Sequence, residues 1–396
     1  MTVDLDYGRG KAAIVGVADA ADPSGMLDGS IRALETRMIA EALDDAGLTI
    51  ADVDGVACAI GPGFSPSMEL AEYVGITARW TDNTQTGGSA FEVQVEHAMA
   101  AIALGLAEVV VVVYAQTPRS ARKRGGKGFS SGAGGGARSP AQEWEVPYGP
   151  MPPPTMYALA AQRHMHQYGT TSEQLAQIAV STRQWATRNP RARHQDPLTI
   201  DDVMDSRMVS SPLHGLDCCL VTDGAGAVVL TSAERARDLR QRPAFILGAA
   251  TAHTHSMISQ MPDLTLTAGA ISGPQAFAMA GIDPTDVDVL ECYDSFTITT
   301  LLHVEDLGFC AKGEGGPFAA AGHLGPGGSL PTNTNGGGLS YTHPGMYGMF
   351  LLVEAVRQIR GQAGDRQVEG AEIAVAHGCG GVLSSTGTVV LGTEVS

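Results

Sequence analysis

Basic residues are scarce in this chain. Twenty-five Lys and Arg stand against forty-two Asp and Glu, a net charge of −17 at pH 7 over 396 residues. Nucleic acid and anionic membrane surfaces are thereby excluded as partners, and any anionic ligand needs a local basic patch. Long hydrophobic runs are missing too: the β-branched run Val109–Val113 falls far short of the ~20 residues that span a bilayer. The apolar stretch Ala12–Ala21 is short, contains Asp19 and follows an acidic start, Met1–Asp6. It reads as a first strand, not a signal sequence, so the chain is expected in the cytoplasm. None of the six cysteines (Cys58, Cys218, Cys219, Cys292, Cys310, Cys379) lies in a Cys-x-x-Cys pattern. That excludes a zinc ribbon and a disulfide framework, and the thiols are expected reduced. The His-x-His pairs His164/His166 and His253/His255 have no third and fourth ligand spaced to join them, so no metal is expected in this chain.

Glycine is abundant instead. Fifty glycines, 44% hydrophobic and 17% charged residues describe a compact enzyme with many tight turns, with room for two core-forming units or one large α/β body. A supersecondary unit recurs. Ala12–Val17 reads as a buried strand, Ile31–Ala46 as a helix closed by Gly47, and Asp52–Val56 as the opening of a second strand. Half a chain later come Ala244–Ala249 as a strand, Ala268–Ala280 as a helix ending at Gly281, and Val287–Cys292 as a strand. Such a duplication predicts a parallel-rich sheet in each half. Phe91–Gly105 reads as an apolar helix buried between the halves, its N-terminus a natural position for a site. From about 116 to 195 the composition turns to Arg, Lys, Gly, Ser, Pro and Trp, with Arg122-Lys123-Arg124-Gly125-Gly126-Lys127 and the glycine-rich 132–136. This is an inserted loop domain. Its basic stretch, 122–138, either meets coenzyme phosphates or an acidic partner, or is a solvated loop.

The stretch with most chemistry is Asn333-Thr334-Asn335-Gly336-Gly337-Gly338-Leu339-Ser340-Tyr341-Thr342-His343-Pro344-Gly345. Consecutive glycines let the backbone approach a ligand closely, and the Ser-Tyr-Thr-His that follows puts proton-transfer groups on the same loop.

This loop resembles the Gly-Gly-x-x-x-x-His-Pro loop of thiolase-superfamily enzymes, whose His helps hold a thioester oxygen. Ser210–Cys218 followed by Val221–Ala227 is similar to the thiolase segment that ends the loop domain. Tyr293-Asp294-Ser295-Phe296 stands where sterol-carrier-type thiolases carry His-Asp-Cys-Phe, and His377-Gly378-Cys379-Gly380-Gly381 resembles their terminal Cys-containing glycine loop. Together these span nearly the whole chain. The resemblance implies a thiolase-like α/β fold, two duplicated strand-helix halves forming a five-layered α-β-α-β-α body. The halves would be 1–240, with the loop domain inside it, and 241–396.

One family element is absent. Thiolases carry a nucleophilic Cys in a Cys-x-x-Gly context at the start of the buried helix, where the helix dipole favours the thiolate. Asp82–Ala90 contains no cysteine, which excludes condensation through an acyl-enzyme there. Ser89 reads as a cap or packing residue. Tyr341 takes the place of a usual Lys and Tyr293 that of a His. Two tyrosines in a thioester pocket suit an aldol or retro-aldol step, which needs a base, an oxyanion site and an acid but no covalent nucleophile. The chain thus resembles the lipid-transfer-protein-type aldolases of bacterial steroid side-chain degradation. These release propionyl-CoA from a 17-hydroxy steroid acyl-CoA, leave a 17-ketosteroid, and work with an OB-fold and zinc-ribbon acyl-CoA-binding partner.

By that resemblance Tyr341, Tyr293 and His343 are catalytic, His343 either lowering a tyrosine pKa or holding the thioester oxygen. Cys379 is either an acid/base or a buried small residue. Asp294 orients its loop, Asn335, Gly336, Gly337 and Gly338 lie near the acyl-CoA, and Tyr347 is core. The subunit is expected to form a homodimer with no tightly bound cofactor, zinc belonging to the partner alone. Two other readings stay open: a thiolase or acyltransferase using Cys379 or a serine, and a non-catalytic acyl-CoA or lipid carrier.

Overall fold

The computed structural model describes residues 8–61, 64–125 and 139–395. The acidic start and most of the basic stretch, 126–138, lie outside the described residues.

The first half runs through Ala12–Ala20 (β1), Ile31–Ala46 (α1), Gly55–Cys58 (β2), Pro66–Val74 (α2), Trp80–Asp82 (β3), Ala90–Ala103 (α3) and Val109–Gln116 (β4). The inserted segment is mostly helical: Pro118–Lys123 (α4), Pro140–Trp144 (α5), Pro154–Tyr168 (α6), Ser172–Ala186 (α7) and Ile200–Asp205 (α8), then a small ribbon of Met208–Ser210 (β5) and Leu213–His214 (β6). Gly224–Ser232 (β7) returns to the first half and Ala233–Ala236 (α9) leaves it. The second half comprises Ala244–His253 (β8), Gly269–Ala280 (α10), Val289–Cys292 (β9), Thr297–Asp306 (α11), Gly315–Ala320 (α12), Gly348–Arg360 (α13), Ile373–Gly380 (β10) and Ser385–Gly392 (β11).

The repeat appears as β1-α1-β2 against β8-α10-β9. In both copies the second strand starts later than its Asp-Val-Asp suggests, because a 3-10 turn precedes it, Ile50–Asp52 in one and Pro284–Asp286 in the other. The Asp52 and Asp286 carboxylates accept the N–H of Thr49 and Asp283 at 2.9 and 2.8 Å, which closes each turn before a strand can form.

The strands join in the order β3-β2-β4-β7-β1-β8-β11-β10-β9. The two halves of this sheet meet where β1 pairs with β8, Ala13 with Phe245 and Ile14 with Ala244. α1 packs on β1, β7 and β4, and α10 packs on β8 and β11, while α3 and α13 touch strands of both halves. The layers are therefore helix, sheet, helices, sheet, helix, as the resemblance implied. The valines of β4 are fully buried, since helices cover both its faces. Among the described residues no helix is long and apolar enough to cross a membrane, and all six cysteines are free thiols.

Candidate active site

The loop Asn333–Gly345 is held as a rigid object by its own side chains and by Asp294. Asn333 takes a left-handed φ of 53° and Gly336 one of 100°. The Asn335 side-chain oxygen accepts the Gly337 N–H at 2.8 Å and the Tyr347 hydroxyl at 2.7 Å. Asp294, fully buried, accepts the N–H groups of Gly338 and Leu339 at 2.7 and 3.1 Å. A Cβ on Gly337 would lie 2.0 Å from Asp294 Oδ2. Burial lifts the Asp294 carboxyl to about 7 against the opposing pull of these two N–H donors. Asp294, expected to orient its loop, is thus bonded to two of the loop's N–H groups, and Tyr347 is buried.

Past the loop, His343 turns toward a cavity of about 1200 Å³ whose wall also includes Tyr293, Cys379, Cys219, Tyr157 and His253. The Tyr293 hydroxyl and His343 Nε2 are hydrogen-bonded at 3.0 Å, with their rings edge to face at 5.7 Å. The His343 N–H donates to Thr222 Oγ1 at 2.7 Å, which fixes its backbone. Burial drives the imidazole down to about 4, so it is neutral at physiological pH and can accept a proton. Burial also holds the Tyr293 phenol well above its usual range and pushes the Cys379 thiol up to about 12. No Asp, Glu, Lys or Arg is among the described residues that line the cavity. Proton transfers here occur between neutral groups in a low dielectric.

Two expectations need correction. Tyr341 does not reach the cavity: its hydroxyl donates to Asp19, which is ion-paired to Arg191 at 2.9 Å and to Arg357 at 2.6 Å. The loop turns through Gly337–Tyr341 as one wide helical turn, and this places residue 341 on the side opposite His343. Nor do Asn335, Gly336, Gly337 and Gly338 line the cavity. Their close approaches are to the protein itself, Gly336 to Ala186 and Gly337 and Gly338 to Asp294, so these glycines admit neighbouring residues and not a ligand.

The start of α3 explains the missing nucleophile in steric terms. A Cβ on Gly88 would lie 2.1 Å from Tyr293 Cε2 and 2.4 Å from the Cys379 carbonyl oxygen. The Tyr293 ring occupies the room in front of the helix, and the N-terminal dipole of α3 points into the cavity through Gly87 and Gly88. Ser89 is buried and bonded to Ser385 at 2.8 Å and Thr86 at 3.0 Å, a packing residue as expected. Tyr157, Cys219 and His253 were not foreseen. Tyr157 donates to the Gly381 carbonyl at 3.2 Å and its ring packs 4.4 Å from Phe296, but nothing in the composition of the insert marks it. The adjacent pair Cys218-Cys219 was the one available signal.

Three of the four histidines of the His-x-His pairs bond protein groups. His164 bonds Thr170 and Glu305, His253 bonds Ser385 at 2.9 Å, and His255 meets the Val382 carbonyl. Among the described residues no group of three or more His, Cys, Asp or Glu could hold a metal ion. Of the basic stretch, Arg122 and Lys123 end α4, whose Pro118 and Ala121 reach the cavity rim.

Comparison with known proteins agrees with the fold. Residues 250–393 match the thiolase C-terminal domain-like family. A steroid side-chain-cleaving aldolase of Thermomonospora curvata is 36% identical over 97% of this chain and 98% of its own length. A 17-hydroxy-3-oxo-4-pregnene-20-carboxyl-CoA lyase of Mycobacterium tuberculosis is 38% identical over 89% of this chain and 92% of its own. The solved structure of an Ltp2-ChsH2(DUF35) aldolase superposes with a TM-score of 0.86 at 34% identity, covering 97% of this chain and 98% of that one.

Proposed function

The chain belongs to the thiolase superfamily, among its steroid side-chain-cleaving aldolases, and from that premise we propose that it cleaves a 17-hydroxy steroid acyl-CoA by retro-aldol reaction, giving a 17-ketosteroid and propionyl-CoA. The observation that carries this reading is the Tyr293–His343 hydrogen bond, 3.0 Å long, inside a cavity where none of the described lining residues is Asp, Glu, Lys or Arg. A cavity of about 1200 Å³ accepts a bulky apolar acyl group, larger than the ~300–1000 Å³ of ordinary ligand pockets.

In this reading the 17-hydroxyl gives its proton to the Tyr293 oxygen while Tyr293 passes its own to neutral His343 Nε2. The C–C bond electrons move into the thioester, forming an enolate whose oxygen faces the N-terminal end of α3 at Gly87 and Gly88. The Cys379 thiol protonates the α-carbon, and the proton held on His343 restores it. No proton is gained or lost overall, and no tightly bound cofactor is needed. Tyr341, Asn335 and Asp294 hold the His343 loop in place.

The thiolase reading is weakened by burial of Cys379, whose thiol at about 12 is a poor nucleophile. A DUF35-type OB-fold and zinc-ribbon partner is proposed from the aldolase complex that superposes on this chain. Homodimerisation and a cytoplasmic location, where acyl-CoA is found, complete the proposal. The test incubates the purified chain, alone and with that partner, with the 17-hydroxy steroid acyl-CoA and follows both products by mass spectrometry. Propionyl-CoA and the ketone in equal amounts, with no acylated peptide, are expected. An acyl-cysteine or acyl-serine adduct would overturn the reading.

A further inference from the structure

α3 is buried along nearly its whole length, and its apolar run is broken at Glu92, whose side chain is fully enclosed. Among the described residues neither carboxyl oxygen finds a hydrogen-bond partner beyond Glu92's own backbone N–H. Three glycines from three elements make room for it. A Cβ on Gly378 of β10 would lie 2.2 Å from a carboxyl oxygen, one on Gly348 of α13 2.4 Å, and one on Gly387 of β11 2.6 Å from the Glu92 Cβ. The same atom on Gly348 would also lie 2.3 Å from the Gly88 carbonyl oxygen. The carboxyl therefore sits directly behind the cavity wall, with Gly88 and Tyr293 on one side and Gly378, next to Cys379, on the other. Burying a carboxyl without a partner is unfavourable, and an apolar residue would fill the space without that penalty. Packing alone does not account for it.

We propose that Glu92 is a positioning residue for the proton-transfer site, keeping the wall behind Cys379 uncharged during turnover and closing the site to negative intermediates when it ionises. The inference rests on the aldolase reading for its effect on turnover. Burial pushes Glu92 up to about 8 and no neighbouring cation offsets it. The approach from β10 is at Gly378, next in the chain to Cys379, and an ionised Glu92 raises that thiol further. The enolate, and the thiolate left when Cys379 gives up its proton, are both anions. A second negative charge behind the same wall would disfavour them by ~10- to 100-fold.

The test compares wild type with Glu92→Gln, which keeps shape and neutrality but cannot ionise, and with Glu92→Met should the glutamine variant fold poorly. The ratio of kcat at pH 9.5 to kcat at pH 7 should be ~10-fold or more higher in the variant, with KM following the same course in both. Equal ratios would overturn the proposal. A second readout does not depend on the lyase reaction. At pH 9.5 Cys379 should be alkylated by iodoacetamide several-fold faster in Glu92→Gln than in wild type, scored by mass spectrometry. Equal alkylation rates would also overturn it, whereas faster alkylation in a protein without lyase activity would sink the aldolase reading and leave the Glu92–Cys379 coupling standing.

Discussion

Tyr293 and Tyr341 are both fully enclosed phenols beside the same glycine-rich loop, yet they live in opposite electrostatic surroundings. Tyr293 meets a neutral imidazole at 3.0 Å in a wall whose described residues carry no formal charge. Tyr341 meets Asp19, clamped by Arg191 and Arg357, with the Arg191 guanidinium 5.8 Å above its ring. Among the described residues, the charges of this region are gathered behind the loop, where they fix its shape, and not along the cavity, where they would trap protons. A tyrosine donating to an ionised carboxylate cannot also take a proton from a substrate. One bonded to a neutral imidazole can relay one.

The comparison is broken most directly by Tyr293→Phe. The ring stays and the hydroxyl goes, so folding should persist while kcat falls by ~10²- to 10⁴-fold, the usual range of acid–base contributions. Steady-state release of propionyl-CoA with near-ultraviolet circular dichroism as a fold control decides it. Turnover within a few-fold of wild type would remove Tyr293 from the mechanism.

Gly88→Ala should be the next largest. Its methyl would stand 2.1 Å from the Tyr293 ring, so either the ring leaves His343 or the start of α3 shifts. A loss of ~10- to 100-fold in kcat is expected, together with a stability loss of about 1–3 kcal/mol from overpacking, measured by denaturant titration. Normal activity would mean that the ring position is not needed for turnover.

The fold was legible where spacing alone determines it. The strand-helix repeat, the burial of α3 and the left-handed closures at Gly47 and Gly281 follow from periodicity and glycine placement. Strand starts were read early, because the acidic residues of Asp-Val-Asp and Pro-Thr-Asp close backbone turns first. The site was legible in part. Tyr293, His343 and Cys379, named from the resemblance, line one cavity. The direction of Tyr341 was not legible, since its partner Asp19 lies 322 residues away and neighbours in a wide turn face different sides. Glu92 was hidden for a related reason: a carboxyl in an apolar helix has meaning only once Gly348, Gly378 and Gly387 are seen to face it.

On the charged side, Asp19→Asn should act on stability more than on rate. Against the burial that raises it, Arg357 and Arg191 hold the Asp19 carboxyl well below its usual range. A carboxyl depressed in the folded state contributes stability above its unfolded pKa of ~3.9 and loses it as the pH falls toward the folded value. The variant should lack this acid-dependent part, and its Tm should fall at pH 7 while the gap to wild type closes below pH ~4. Loss of a buried ion pair is worth about 3–5 kcal/mol, and partial exposure of Arg191 places this one toward the lower end. A Tm gap independent of pH would contradict the ionic reading.

The smallest effect is expected of Tyr341→Phe, and it separates the two tyrosines most cleanly. The substitution removes one donor from Asp19, which keeps both arginines, so the loss should be about 1 kcal/mol in stability and no more than ~3-fold in kcat. Because Tyr293 and Tyr341 share no hydrogen-bond partner, their changes should combine additively in the double variant. A double variant no slower than Tyr293→Phe alone, with Tyr341→Phe itself severely impaired, would put both hydroxyls in one proton path. The loop would then have to turn Tyr341 into the cavity when substrate binds, releasing Asp19 to its arginines.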